Sequence, residues 1–223
     1  MTRTHWAAIT AVVLALLFAG AATVASAGGE TPAPRTPGTD SPDAGFARDM
    51  SVHHQQAVEM SFIVRDRTKD EGVRRLAYDI ANTQANQRGM MLGWLDLWGL
   101  PKVVAGSAPM EWMRSDTDAA SGHGSGHGGH GSGAAGDDRL MPGMATKDEL
   151  NRLGELSGKQ AEVFYLQLMI NHHNGGVAMA QGCADLCTVG VERELARGMV
   201  DAQRSEVELM VDLLKKRGAE PLA

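Results

Sequence analysis

Apolar residues recur with a helical period in two long stretches of the chain, residues 43–100 and 146–218. Because each helical residue turns about 100° from the last, Phe46, Met50 and Ala57 fall on one apolar face. The pattern predicts two long helices in each stretch, and a short helix that begins with a capping box at Thr146. The expected long helices cover residues 43–67, 71–98, 158–183 and 191–217, and the third begins with a capping box at Ser157 and Gln160.

The two stretches repeat each other at an offset of 119 residues. A Met-x-x-His-His motif opens the match, at 50–54 in the first stretch and at 169–173 in the second. The same register then pairs Phe46 with Tyr165, Gln84 with Gln203, Met91 with Met210 and Leu95 with Leu214. We interpret the match as an internal duplication, with repeats at about 43–101 and 158–220. Two helical hairpins bury their apolar stripes best against each other, which predicts an all-α four-helix bundle.

The segments outside the repeats have the composition of targeting and linking sequences. Residues 1–27 combine Arg3, an apolar run and a final Ala-Ser-Ala, which is typical of a cleaved secretory signal peptide. The alternative is an uncleaved membrane anchor, since the run is just long enough to span a bilayer. Residues 28–42 are a Pro-rich, disordered linker, and residues 102–145 form a flexible Gly/His-rich connection between the repeats. We therefore expect a secreted or extracytoplasmic protein with one duplicated domain at 43–220.

Composition excludes several other classes of protein. A net charge of −6 argues against nucleic acid as a partner, because phosphate binding needs a basic surface. Two cysteines are too few for a disulfide-rich scaffold or a four-cysteine zinc site. In an exported chain the pair Cys183 and Cys187 is expected to form a disulfide, and a thiolate metal pair is the alternative.

The repeated motif supplies the candidate metal ligands. Four histidines border the apolar faces of two helices, where each buried imidazole needs a partner. That partner is either a metal ion or a Gln or Glu side chain on the facing helix. Imidazole suits zinc, copper, iron and nickel, whereas nearby thioethers select Cu(I), so copper is the metal predicted, with another transition metal as the alternative. The candidate ligands are His53, His54, Met50, Met60, His172, His173, Met169 and Met179.

A second group of histidines lies in the connection between the repeats. His123, His127 and His130 alternate with glycine and serine, a composition that can capture a metal ion weakly. The alternative is a linker in which these histidines have no role.

The motifs at 49–60 and 168–180 resemble those of the domain-of-unknown-function 305 family, and the resemblance extends over about 43–220. The resemblance implies a ferritin-like helical bundle, exported in bacteria, with copper binding and copper tolerance in some members. Gln87 departs from the carboxylate that is usual in the family, although its counterpart Glu206 keeps it, and Asn171 stands where the family often has proline. The two halves are therefore expected to bind metal unequally.

Three functions remain open on these residues. The first is an exported copper-binding protein that sequesters copper or passes it to an extracytoplasmic copper-handling partner. The second is a metal-dependent redox enzyme, for which the sequence shows no substrate pocket or nucleophile–base pair. The third is a structural or interaction bundle whose histidines are simply buried.

Deletion of residues 121–136 should leave the protein folded. We expect an unchanged melting temperature, because a flexible connection contributes little packing and its shortening lowers the entropy cost of loop closure. Thermal unfolding followed by circular dichroism measures this. A large fall in melting temperature would show that the connection is part of the folded structure.

Overall fold

The computed structural model describes residues 36–114 and 139–222. The predicted signal peptide, the beginning of the Pro-rich linker and the three loop histidines, His123, His127 and His130, lie outside these residues. Within the described residues, no helix is both long and apolar enough to cross a membrane.

The described part of the chain contains five α-helices, one short 3-10 helix at Glu111–Met113 and no strand. The helices are α1 (Pro42–Arg67), α2 (Glu71–Leu97), α3 (Lys147–Glu155), α4 (Gly158–Leu186) and α5 (Gly190–Lys215). The prediction of an all-α bundle built from helical hairpins is confirmed. The duplication and the ferritin-like label stay predictions.

Side-chain caps fix the starts of three helices. Ser41 accepts a hydrogen bond from the Ala44 amide at 3.2 Å, and Asp70 accepts one from the Val73 amide at 2.8 Å. The capping box predicted at Thr146 is present, since Thr146 and Glu149 bond each other's backbone amides. The box predicted at Ser157 is wrong, because its side chain makes no capping hydrogen bond. There the chain passes from α3 to α4 in two residues, and Gly158 makes the turn with φ of +54°.

The two hairpins meet along α1 and α4, while α2 packs outside α1 and α5 packs outside α4. The two central helices run antiparallel: Met50 shares an apolar cluster with Met179, and Met60 shares another with Met169. A hydrogen bond of 3.1 Å between the Ser61 and Tyr165 hydroxyls joins the two helices near Met60. The four histidines of the repeated motif fall between these methionines on both helices. They form one layer, here called the histidine layer, between the two clusters.

The described residues at the ends of the predicted flexible connection are packed against the bundle. Met141 and Met144 are only 3% and 5% exposed. The Gln56 side chain donates to the Ala145 carbonyl at 2.8 Å and accepts from the Ala145 amide at 2.6 Å. We name residues 141–145 the methionine segment. Its burial corrects the expectation that the whole of 102–145 is loosely held.

The other end of the connection is anchored by Trp112. Its indole Nε1 donates to Asp49 Oδ2 at 2.9 Å, and the Met110 amide donates to the same oxygen at 2.7 Å. The Trp112 ring also meets the Phe46 ring edge-on, with centroids 5.8 Å apart. These contacts hold residues 110–112 against the first turns of α1.

A methyl group at Gly175 should destabilise the protein. An alanine Cβ there would lie 2.0 Å from the Pro142 carbonyl oxygen, so the methionine segment would have to move away from α4. We expect Gly175→Ala to lower the free energy of unfolding by about 1–3 kcal/mol. Urea unfolding followed by circular dichroism measures the change.

The matched control is Gly198→Ala in α5, where an added Cβ meets nothing within 4 Å. Because alanine is the better helix former, that variant should be more stable by about 0.5–1 kcal/mol. Equal stabilities for the two variants would show that the contact between α4 and the methionine segment is not tight.

Candidate metal centre

The two inner histidines meet where α1 and α4 cross. The His53 and His172 rings have centroids 3.7 Å apart and are tilted by 32°, and neither side chain is exposed. His172 Nε2 donates to the His53 backbone carbonyl at 3.0 Å. Two imidazoles this close in a dry interior repel each other if both carry a proton charge. The contact therefore favours neutral rings.

The two outer histidines are held by the outer helices. His54 Nε2 donates to Gln87 Oε1 on α2 at 2.9 Å, and His173 Nε2 donates to Glu206 Oε2 on α5 at 2.6 Å. These four residues occupy corresponding positions in the two repeats. A Gln or Glu side chain on the facing helix, the alternative partner to a metal ion, is thus present at both outer histidines. Gln84 and Gln203, one turn earlier on the same helices, are buried as well.

The ring nitrogens left over have no protein partner. Because the Nε2 atoms of His54, His172 and His173 act as donors, their Nδ1 atoms carry bare lone pairs. None of these three Nδ1 atoms accepts a hydrogen bond, and neither nitrogen of His53 is in hydrogen-bonding geometry. Buried polar atoms are seldom left in this state, so the layer has the capacity to take up a ligand. A histidine whose other N–H is fixed by an amide or carboxylate oxygen is also the usual arrangement in metal sites.

Burial keeps three of the histidines neutral. It lowers the pKa of His53 to about 4, although the adjacent Pro142 carbonyl favours the charged form. It lowers the pKa of His54 to about 3, helped by the nearby His53. The pKa of His172 is also well below 6.5, because of burial first and then because of the other three histidines. Neutral imidazole is the form that binds a metal ion.

The candidate methionines divide into two groups. Met50 and Met179 lie in one apolar cluster and Met60 and Met169 in the other, and all four are fully buried. The structure therefore does not gather the eight predicted ligands of the bundle at one point. It places a pair of thioethers on each side of the histidine layer, in the two adjoining clusters.

Two buried methionines and one buried glutamine near the layer were not predicted from the sequence. Met141 and Met144 join the cluster of Met50 and Met179, and Gln56 ties their segment to α1. The neighbouring Gly and Pro favoured a loose loop over a packed one. The available signal was the spacing of the two methionines, three residues apart and a few residues after a Gly-rich run.

Within the described residues, only one trio of His, Cys, Asp or Glu atoms is close enough to share an ion. It consists of Cys183, Cys187 and Glu192, with ligand atoms within 4.8 Å of one another, and it lies outside the histidine layer. The predicted Cys183–Cys187 disulfide is present. The histidine nitrogens do not form such a trio. A site in the layer therefore needs other donors beside one or two imidazoles, and the adjoining clusters contain thioethers that could supply them.

Residues 43–214 match the family model described as "Domain of unknown function (DUF305)". The chain belongs to the DUF305 family. A DUF305 protein of Streptomyces coelicolor, named as a candidate secreted protein, is 61% identical with a TM-score of 0.71, and the match covers 83% of this chain and 99% of that one. A DUF305 fragment from Deinococcus radiodurans is 29% identical with a TM-score of 0.61, over 82% of this chain and 99% of that one.

A more distant likeness concerns the fold alone. The Cu(I)-bound form of CopM is 18% identical to this DUF305 chain with a TM-score of 0.56, over 78% of this chain and 96% of that one. No protein among the curated sequences matches the chain.

Mild acid should destabilise the metal-free protein. In the unfolded chain these histidines take up protons below about pH 6.5, whereas folded His53, His54 and His172 do so only at much lower pH. The unfolded state therefore binds more protons, and stability falls as pH falls, by about 1.4 kcal/mol per pH unit and histidine. Burial raises the pKa of Glu192 to about 9, so between pH 4.5 and 6.5 the folded state keeps a proton that the unfolded state has lost. This raises stability as pH falls and offsets the loss of stability from about one histidine.

Urea unfolding of the chelator-treated protein at pH 6.5 and 5.5, where the three histidines outweigh Glu192, measures this loss. The double variant His53→Gln with His172→Gln is the control and should show a shallower pH dependence over the same range. Identical midpoints for the parent at pH 6.5 and pH 5.5 would contradict the buried, neutral state of His53, His54 and His172.

Proposed function

We propose that this DUF305 protein is an exported copper-binding protein that holds Cu(I) inside its helical bundle, for sequestration or for delivery to a partner. The carrying observation is the group of buried, partnerless imidazole nitrogens between two methionine-containing clusters. The protein carries imidazole and thioether donors in and around one dry layer, and this donor set favours Cu(I) over harder ions.

The methionine-rich side of the layer is the stronger candidate. Met50 and Met179 share their cluster with Met141 and Met144, so this cluster holds all four of these thioethers. The Pro142 carbonyl beside His53 brings the methionine segment to the layer itself. We therefore add Met141 and Met144 to the proposed ligands. Met60 and Met169 belong to the other cluster, which contains fewer buried methionines.

The two outer histidines should bind copper unequally. A carboxylate partner makes an imidazole more basic than an amide partner does, because the negative charge stabilises its N–H. Glu206 supplies a carboxylate to His173, whereas Gln87 supplies only an amide to His54. In this proposal, the half of the layer on α4 and α5 therefore binds copper with the higher affinity.

The likenesses support the proposal without deciding it. CopM is named in both a Cu(I)-bound and a Cu(II)-bound form, and the Streptomyces coelicolor relative is named as a candidate secreted protein. Export of this chain rests on the signal-like residues 1–27. His123, His127 and His130 are proposed as a weak capture arm for the same metal.

A structural bundle is the competing function, and the His54–Gln87 and His173–Glu206 hydrogen bonds favour it. These bonds satisfy one nitrogen of each outer ring without any metal. They leave the Nδ1 atoms of both outer rings without partners, and His53 has only the Pro142 carbonyl beside it, outside good hydrogen-bonding geometry. A purely structural layer does not account for these unused nitrogens.

Anaerobic titration of the mature chain with Cu(I), with elemental analysis of the product, tests the proposal. The double variants His53→Gln/His172→Gln and His54→Gln/His173→Gln should bind less copper, because each removes two imidazole donors. Met141→Leu/Met144→Leu should weaken copper binding by about tenfold or more, because it removes two proposed thioether ligands. Helix content should stay near that of the parent.

The matched control is Met199→Leu, a buried methionine of the same cluster that is not proposed as a ligand. It should bind copper as the parent does. If both double histidine variants keep the parent's copper content and deletion of 121–136 abolishes it, the loop is the binding site and the bundle histidines are structural.

A further inference from the structure

A separate polar cluster lies at the turn between α4 and α5. The Cys183–Cys187 disulfide closes the last turn of α4, and the two cysteines are 0% and 2% exposed. Glu192, from the first turn of α5, is also 0% exposed. One atom from each of these three side chains lies within 4.8 Å of the other two. Three donor groups thus converge in a buried place that the histidine layer does not use.

The Glu192 carboxyl group lacks a donor. Neither of its oxygens accepts a hydrogen bond. The neighbouring Asp43 is an acceptor itself, already bonded by the Thr188 and Val189 amides at 2.8 and 2.7 Å. Glu192 can bond to Asp43 only by keeping its own proton and donating it to the Asp43 carboxylate. The ionised form of Glu192 has no donor in this buried place, and a bound cation would stabilise that form.

The opposite end of the bundle shows that the fold does not require this cluster. At the offset of 119 residues, Val64, Thr68 and Val73 stand where the second repeat has Cys183, Cys187 and Glu192. Val64 and Val73 are fully buried, and Thr68 Oγ1 donates to Glu162 Oε1 at 2.5 Å. The α1–α2 turn is therefore closed by two valines and a threonine. The sulfurs and the carboxyl are additions at one end only.

We propose that the reduced form of this cluster is a second metal site, in which the thiolates of Cys183 and Cys187 and the carboxylate of Glu192 bind one divalent cation such as Zn²⁺. Thiolate and carboxylate are both ordinary Zn²⁺ ligands, and Zn²⁺ does not oxidise thiols. Three anionic ligands beside the Asp43 carboxylate suit a doubly charged ion better than Cu(I). The disulfide is the metal-free state of the site, so metal and disulfide exclude each other.

The chemistry balances with a dithiol as reductant. The dithiol gives two electrons and two protons to the Cys183–Cys187 bond, which breaks to two thiols, while the dithiol closes to its own disulfide. Zn²⁺ then displaces the two thiol protons and the Glu192 proton, so that each ion bound releases three protons.

The full chain, reduced anaerobically with dithiothreitol and desalted, is titrated with Zn²⁺ against a chromophoric chelator and with Co²⁺ as a spectroscopic probe. Reduced protein should bind one more Zn²⁺ than oxidised protein and show sulfur-to-cobalt charge-transfer absorption. Glu192→Gln, which keeps the side-chain shape, should weaken Zn²⁺ binding by about tenfold or more and lower proton release. Cys183→Ser/Cys187→Ser should abolish the absorption.

Two controls make the result specific to this site. Glu194→Gln changes an exposed carboxylate two residues further along α5 and should leave Zn²⁺ affinity unchanged. His54→Gln/His173→Gln removes histidines of the copper site and should keep the cobalt absorption, so failure of one site is distinguishable from failure of the other. Equal Zn²⁺ uptake by oxidised and reduced protein would overturn the proposal, as would Glu192→Gln binding like the parent.

Discussion

The contact between the His53 and His172 rings is the constraint around which the bundle is arranged. Two imidazoles with centroids 3.7 Å apart require α1 and α4 to cross closely and require the rings to stay uncharged. Beside this crossing, a glycine on α4 leaves room for a side chain from an outer helix. An added Cβ at Gly176 would lie 2.4 Å from Gln203 Oε1, so α5 delivers its amide into space that a side chain on α4 would fill. The polar groups of the outer helices reach the layer only because the inner helices leave room for them.

This polar layer carries a stability cost that the flanking clusters offset. A buried polar atom without a hydrogen bond costs about 1–3 kcal/mol, and several such atoms lie in one plane of the bundle here. Fully buried large side chains stand on both sides, including Phe46, Met91 and Leu95 in one cluster and Tyr165 and Met210 in the other. Any ion that binds only the folded layer adds stability in proportion to the logarithm of its concentration. Because the empty layer contains buried polar atoms without hydrogen bonds, ion binding and the free energy of unfolding are linked at this site.

The features that depend on local spacing could be predicted from the sequence. The helical period placed His53, His54, His172 and His173 on buried faces, and the capping box at Thr146 marked the start of α3. Features that depend on tertiary contacts could not. The period along one helix does not say that His53 stacks on His172, or that Met50 joins Met179 and not Met60. The Gly and Pro around Met141 and Met144 have loop propensity, and only the fit against α4 buries those side chains.

The close approach of the methionine segment to α4 also bears on the rate at which an ion could leave the histidine layer. Gly143 and Gly175 bring the two backbones together with no side chain between them, and the Pro142 carbonyl lies against both α4 and His53. Passage on that side requires the segment to lift, which breaks both hydrogen bonds between Gln56 and Ala145. Residence time and affinity are therefore set by different groups. Gln56 supplies no proposed donor atom, so a substitution there releases one hold on the segment while every donor side chain is kept.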